Sequence, residues 1–114
     1  MKTSSAKAKG RKLQDLVRDR LRSVYTEILE TNDIESQVMG MSGEDIVLSP
    51  AAKRVIPYSF ECKNQERLNL WEAYSQAESN CGDHQPIVFL KKNNHKPLVL
   101  VDADYFVGLH KDEK

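Results

Sequence analysis

Apolar positions recur at intervals of three and four from Gly10 onward: Leu13, Leu16, Val17, Leu21, Val24, Tyr25 and Ile28. That spacing lays one apolar stripe along a helix and predicts an amphipathic helix from Gly10 to near Thr31. Asn32-Asp33 breaks the pattern. Ile34 to Met39 is then a candidate strand, and Gly40-Met41-Ser42-Gly43 a loop of small and flexible residues. Asp45 to Leu48 reads as a short strand, Ser49-Pro50-Ala51-Ala52-Lys53 as a turn, and Val55 to Lys63 as the returning strand of a hairpin. Because strand side chains alternate faces, Ile56, Tyr58, Phe60 and Cys62 share an apolar core side, while Ser59, Glu61 and Lys63 share the other, exposed side.

Leu68, Leu70, Trp71, Tyr74 and Ala77 predict a second helix over residues 66–80, stopped at Gly82. Pro86 introduces a strand from Ile87 to Lys91, Asn93-Asn94 turns the chain, and Pro97 to Val101 forms another strand. Asp102 is placed to cap a terminal helix running through Leu109. The expected order is α-β-β-β-α-β-β-α, an α/β domain with a mixed central sheet flanked by helices.

Length allows one such domain, assigned to residues 10–114, and 39% apolar residues are enough for its core. Residues 1–9 are small, polar and basic without periodicity, and are expected to form a flexible tail that is either merely solvated or touches phosphates. The longest apolar runs, Ile87 to Leu90 and Leu98 to Val101, fall far short of the roughly 20 residues of a membrane span. A basic but not apolar start lacks the pattern of a secretory signal, so an intracellular, cytoplasmic chain with reduced Cys62 and Cys81 is expected.

Net charge is 0, yet it is unevenly spread. Residues 1–22 carry eight basic side chains against Asp15 and Asp19, a surplus of six, and the remainder carries the matching deficit. On the first helix Arg11, Arg18 and Arg22 form a stripe that, with Lys9 and Lys12, could follow a phosphate backbone.

The sharpest chemical constellation is Asp45, Glu61 and Lys63. Two residues apart on one strand, Glu61 and Lys63 project from the same face about 7 Å apart. Asp45, across the expected hairpin, can reach a shared cation. Two hard oxygen ligands, completed by phosphate and water, suit Mg²⁺, with Mn²⁺ able to substitute. Such an ion polarises a phosphate and acidifies a bound water, and Lys63 could orient that water or offset developing negative charge. The competing reading is a solvated Glu/Lys pair on an open sheet face, with Asp45 closing a turn.

Ser42-Gly43-Glu44-Asp45-Ile46 and Tyr58-Ser59-Phe60-Glu61-Cys62-Lys63-Asn64-Gln65, followed by the helical segment Leu70 to Glu78, resemble the PD-(D/E)xK nuclease superfamily. Within it the likeness is to the small Holliday junction resolvase-like endonucleases common in bacteriophages, and in element order it covers Gly10 to about Leu109. The resemblance implies that Asp45 and Glu61 ligate metal, that the Cys62 carbonyl is a third ligand, and that Lys63 is the catalytic lysine. Glu44 stands where the motif has its proline, and Gln14, four residues after Gly10, stands where resolvases often carry a glutamate. Ser42 occupies the place of a helpful loop serine, and Gln76 either faces the site or faces solvent. The implied activity is Mg²⁺-dependent cleavage of branched DNA by a homodimer. Nicking or cutting of single-stranded or flapped DNA, and non-catalytic DNA binding, are the alternatives.

Other signals are weaker. Cys81-Gly82-Asp83-His84 resembles half a zinc site, but His95 and His110 lack paired ligand spacing. Cys62, on the apolar side of its strand, reads as a buried small hydrophobe. Trp71 and Tyr74 read as core or dimer contacts rather than base-stacking platforms.

Overall fold

The computed structural model describes residues 3–38 and 40–111. Helix α1 runs Thr3–Val24, followed by a 3₁₀ turn (Thr31–Asp33), strands β1 (Ile34–Ser36) and β2 (Ile46–Leu48), and helix α2 (Pro50–Val55). Strand β3 (Tyr58–Asn64), helix α3 (Leu70–Asn80), strands β4 (Gln85–Lys91) and β5 (Leu98–Leu100), and helix α4 (Ala103–Gly108) complete the chain. β1 and β2 form an antiparallel pair; β3, β4 and β5 form a second sheet in that order, with β3 and β4 parallel and β4 and β5 antiparallel. The class is mixed α/β, as expected, with one helix more than the periodicity shows.

That extra helix replaces the expected turn. The Ser49 hydroxyl accepts the Ala52 N–H at 3.1 Å as an N-cap, and Pro50 occupies the first turn, where a missing N–H removes no helical bond. The Ser49 hydroxyl also donates to Asp33 Oδ1 at 2.6 Å, and the Ser49 N–H donates to the Asp33 carbonyl at 2.9 Å. The two bonds join α2 to the start of β1. Together with the Glu30 N–H, the Ser49 hydroxyl holds the Asp33 carboxyl below the usual range. β2 and β3 are therefore not two arms of a hairpin.

Helix α1 starts at Thr3, seven residues before the expected Gly10, so Thr3 to Lys9 belong to the helix and not to a tail. Ala6, Lys7, Ala8 and Lys9 are strong helix formers, and Lys9 is tied to the body through its carbonyl, which accepts the Asn64 side-chain amide at 2.9 Å. Met1 and Lys2, the first two residues of the expected tail, lie outside the described residues, as do Met39 and residues 112–114. The helix ends at Val24, short of Thr31; beyond it the Thr26 hydroxyl donates to the Arg22 and Ser23 carbonyls, and Ile28 is exposed.

α1 buries Leu13 and Val17 against Phe60, Cys62 and Ile87, a cluster that extends through Ile34, Ile46, Leu48, Ala52 and Ile56. On the opposite face of the sheet α3 sets Ala73 and Ala77 on Val88, with Leu68, Tyr74, Leu90 and Leu100 packed around them. β3 is thus covered on both sides. The expected two-faced alternation fails there: Ser59 and Glu61 are as buried as Phe60 and Cys62. Trp71, on the outer side of α3, is 82% exposed and takes no part in the core. α3 ends as predicted, with Gly82 in the left-handed region (φ 56°), and Asp102 caps α4 by accepting the Tyr105 N–H at 2.9 Å. No helix among the described residues is long and apolar enough to cross a membrane.

Replacing Ser49 with Ala removes the α2 cap and the Asp33 tie together. Chemical denaturation is expected to show a loss of about 1–2 kcal/mol, with Ser49→Asn, a competent cap, recovering part of it.

Candidate active site

Two sheets meet at one residue. The Gln37 N–H donates to the Asp45 carbonyl at 2.8 Å on one side, and the Asp45 N–H donates to the Phe60 carbonyl at 3.0 Å on the other. Gly43, two residues earlier with φ 100°, lets the loop turn sharply into this bridge. Past Phe60 the outer edge of β3 has no partner strand, and a cleft of about 540 Å³ opens there between the N-terminal half of α1 and the C-terminal half of α3.

Asp45 enters this cleft and turns back on β3: its Oδ2 accepts the Cys62 N–H at 2.7 Å. A residue's N–H and C=O leave a strand in the same direction, so the Cys62 carbonyl opens onto the same edge while its side chain packs into the α1 core. Glu61 points to the α3 face and is only 3% exposed. Its Oε2 accepts the Asn80 side-chain amide at 2.9 Å. Burial pushes the Glu61 carboxyl up to about 7, the Asn80 hydrogen bond pulls the other way, and the nearby Asp45 carboxylate adds to the rise. Burial also raises the Cys62 thiol, with the Asp45 and Glu61 charges adding to it, which leaves the sulfur an inert core group. Lys63, half-buried two residues after Glu61, lines the same cleft and makes no hydrogen bond or ion pair among the described residues.

Gln14 reaches the cleft from α1. It is 6% exposed, and its Oε1 has no partner among the described residues, an acceptor taken out of water at a cost of about 1–3 kcal/mol unless something donates to it or coordinates it. Ser42 and Gly43 form the rim, and Gln76 lines the α3 wall. Glu44 is not among the lining residues, in line with its place next to Asp45 on an extended chain. Asn80, Ser79 and Lys7 also line the cleft and were not anticipated. A signal for Asn80 exists in the sequence: Ala73, Ala77 and Asn80 follow the i, i+4, i+7 spacing of one buried helix face.

The expected DNA-contacting residues divide. Arg11 and Lys12 are exposed on α1 and free of ion pairs among the described residues. Lys9 pairs with Glu66 at 3.2 Å. Arg18 is held by Asp15 at 3.2 Å and Asp19 at 2.9 Å, and Arg22 donates to the Ile34 carbonyl at 2.9 Å. The basic stripe of Arg11, Arg18 and Arg22 is therefore not a free surface: its second and third members fasten α1 to itself and to β1.

Neither a family model, nor a curated protein, nor a solved structure matches this chain.

Whether the cleft suits a divalent cation depends on its donors. No three His, Cys, Asp or Glu side chains converge as a metal group among the described residues. The cleft instead offers the carboxylates of Asp45 and Glu61, the Cys62 carbonyl and the orphaned Gln14 Oε1, all hard oxygens. Mg²⁺ and Mn²⁺ accept such a mixed set and fill the remainder with water. A carboxyl with its affinity for protons raised beside a second carboxylate is also where an added positive charge has the largest effect on ionisation.

Between the ordinary glutamate range and about pH 7 the folded chain keeps a proton on Glu61 that the unfolded chain has released. Stability without metal should therefore fall as pH rises through that window and level off above it. Glu61→Gln, which can still accept from Asn80, is expected to flatten the profile and to raise stability at about pH 8 by about 1–3 kcal/mol. Urea midpoints in EDTA across the window measure both effects.

Proposed function

We propose that this chain is a Mg²⁺-dependent endodeoxyribonuclease with a site of the PD-(D/E)xK type, acting on branched DNA in the manner of a Holliday junction resolvase. The observation that carries this reading is the Asp45 carboxylate pinned to the Cys62 N–H at 2.7 Å, with buried Glu61 on one side of that amide and Lys63 on the other, in one cleft. Three residues far apart in type and partly in sequence have a common purpose there: two oxygen ligands for a cation and one fixed positive charge.

Asp45, Glu61 and the Cys62 carbonyl would hold Mg²⁺, which when bound supplies Lewis-acid polarisation of the scissile phosphate and a more acidic water. The protein's own groups do the rest. Asn80 fixes one Glu61 oxygen, leaving the other for the cleft. Lys63 donates hydrogen bonds to the attacking water or to the phosphate oxygens as negative charge builds on them. Attack of water on phosphorus, its proton passing to solvent, breaks the bond to the 3′ oxygen, which leaves as a hydroxyl by taking a proton from solvent, and the phosphate stays on the 5′ oxygen of the other fragment. Gln14, uncharged, can accept a hydrogen bond from a water in the cleft through its Oε1, and Ser42 is placed on the rim where a phosphate would enter. Lys7, which lines the cleft, and the exposed Arg11 and Lys12 further round α1 provide attraction for the backbone. Symmetric cutting of two strands calls for two equivalent sites, hence a homodimer.

Incubation with a four-way junction, flap, linear duplex and single strand in Mg²⁺ or Mn²⁺ tests the proposal. Symmetric junction cuts are expected, abolished by EDTA and reduced at least about a hundredfold in Lys63→Ala and Asp45→Asn. Cuts confined to flaps or single strands would retain the site and discard the junction; DNA binding without metal-dependent cutting of any substrate would make the chain a binding module.

A further inference from the structure

Outside the first helix the chain is acidic on balance, but residues 85–101, within the longest stretch there that lacks Asp and Glu, carry three lysines. That stretch is the β4–β5 hairpin, and its tip reads Lys91-Lys92-Asn93-Asn94-His95-Lys96. We infer that this tip is a second DNA-binding element, a cationic wing that grips duplex phosphates beside the catalytic cleft. The inference rests on the nuclease reading for its choice of polyanion.

Position is the first argument. β3 and β4 are parallel, so the C-terminal end of β4, where the tip begins, lies at the same end of the sheet as Lys63 and Asn64. The Gln65 N–H donates to the Lys91 carbonyl at 3.0 Å, and Gln65 borders both the cleft and the apolar hollow beneath the hairpin. Glu66 accepts the Asn93 N–H at 2.7 Å and the Lys9 ammonium at 3.2 Å with the same oxygen. One carboxylate thus ties the hairpin tip to the basic end of α1, and its charge is satisfied in doing so.

Free charge is the second. Lys92 and Lys96 are exposed and have no ion-pair or side-chain hydrogen-bond partner among the described residues, unlike Arg18 and Arg22. The Lys91 ammonium is bonded to the Lys92 carbonyl at 2.9 Å. Arg67, exposed, shares with Lys63 a shallow depression whose acidic member is Glu72. Lys9 of α1, Lys63 of the cleft and the hairpin lysines are thus linked at one end of the sheet, with Glu66 neutralised between Lys9 and the Asn93 N–H.

Chemistry is the third. The tip carries no Phe, Tyr or Trp on which an unpaired base could stack, and the His95 ring is tied to the Asn93 carbonyl at 2.9 Å. Lysines on a tight turn, with Asn94 at φ 65°, form compact points of charge suited to the phosphates of a duplex, not to bases. The turn is rigidly based, since its N-terminal strand is paired on both sides.

The test is fluorescence anisotropy of a labelled four-way junction and a linear duplex against salt, in EDTA, for the full chain and three double variants. Lys92→Ala with Lys96→Ala is expected to bind roughly tenfold or more weakly at about 0.1 M salt and to make the slope of log K against log salt shallower by about two. Lys92→Arg with Lys96→Arg should bind like the wild type. Lys53→Ala with Arg54→Ala removes the same charge from α2, whose Lys53 carbonyl faces His84 at the opposite end of β4, and should leave the slope unchanged. Wild-type binding by the first variant, or an equal loss in the α2 variant, would overturn the wing. Cleavage by the same wild-type preparation in Mg²⁺ separates the two readings. Binding that depends on Lys92 and Lys96 without cleavage refutes the nuclease and keeps the wing; cleavage with an unaffected hairpin variant does the reverse. Absence of DNA binding at low salt refutes both.

Discussion

A glutamate buried between two helices is the constraint around which this molecule is arranged. β3 is covered by α1 on one face and α3 on the other, so Glu61 lies out of water with an amide from Asn80 as its side-chain partner. Folding around an ionised carboxylate there is costly, and the strand answers by keeping the group protonated to about pH 7. The same burial that makes Glu61 expensive gives the cleft its low-dielectric wall, where a charge or an oriented dipole acts more strongly than on an open surface.

Asp45 is the counterpart of that arrangement. It belongs to the small β1–β2 pair in its carbonyl and to β3 in its N–H, and so it marks the place where a continuous sheet divides. Division leaves the Cys62 amide on an edge without a strand partner, and the Asp45 side chain supplies the missing acceptor. One hydrogen bond both satisfies a strand edge and brings the Asp45 carboxylate close to Glu61. Gln14, by contrast, has an oxygen left over in the same cleft, and the buried Ser59 hydroxyl is likewise without a partner among the described residues.

Electrostatics follows a similar division of labour. Arginines of the α1 stripe are used internally: Arg22 fastens β1 through the Ile34 carbonyl, and Arg18 screens Asp15 and Asp19. Lys63, Arg67, Lys92 and Lys96, which have no such partners among the described residues, belong to the end of the sheet where β3 and β4 finish, while Lys53 and Arg54 stand unpaired at the other. Local charge counting along one helix could not separate these groups, because a guanidinium that is spent and one that is free look alike in a row of letters.

Much was legible without coordinates. Periodicity located α1, β3, α3, β4, β5 and α4 to within a few residues, except for the start and end of α1, because each of these segments buries a face whose spacing is set by local backbone geometry. The trio Asp45, Glu61 and Lys63 was legible too, since two of its members share a strand and the third opens another. What depended on tertiary contacts was decided elsewhere. Ser49 became a helix cap and not a turn because Asp33 and Pro50 favour it together; the polar side of β3 became interior because α3 covers it; and Asn80, an unremarked helix terminus, became the partner of Glu61. By itself the sequence determined that Asp45, Glu61 and Lys63 lie on neighbouring extended segments and that Glu61 and Lys63 share a face, through periods of two and 3.6 that any chain obeys. Only the tertiary structure decided which charges are spent, which face is buried and where the sheet parts, because those outcomes depend on contacts between segments that no local pattern encodes.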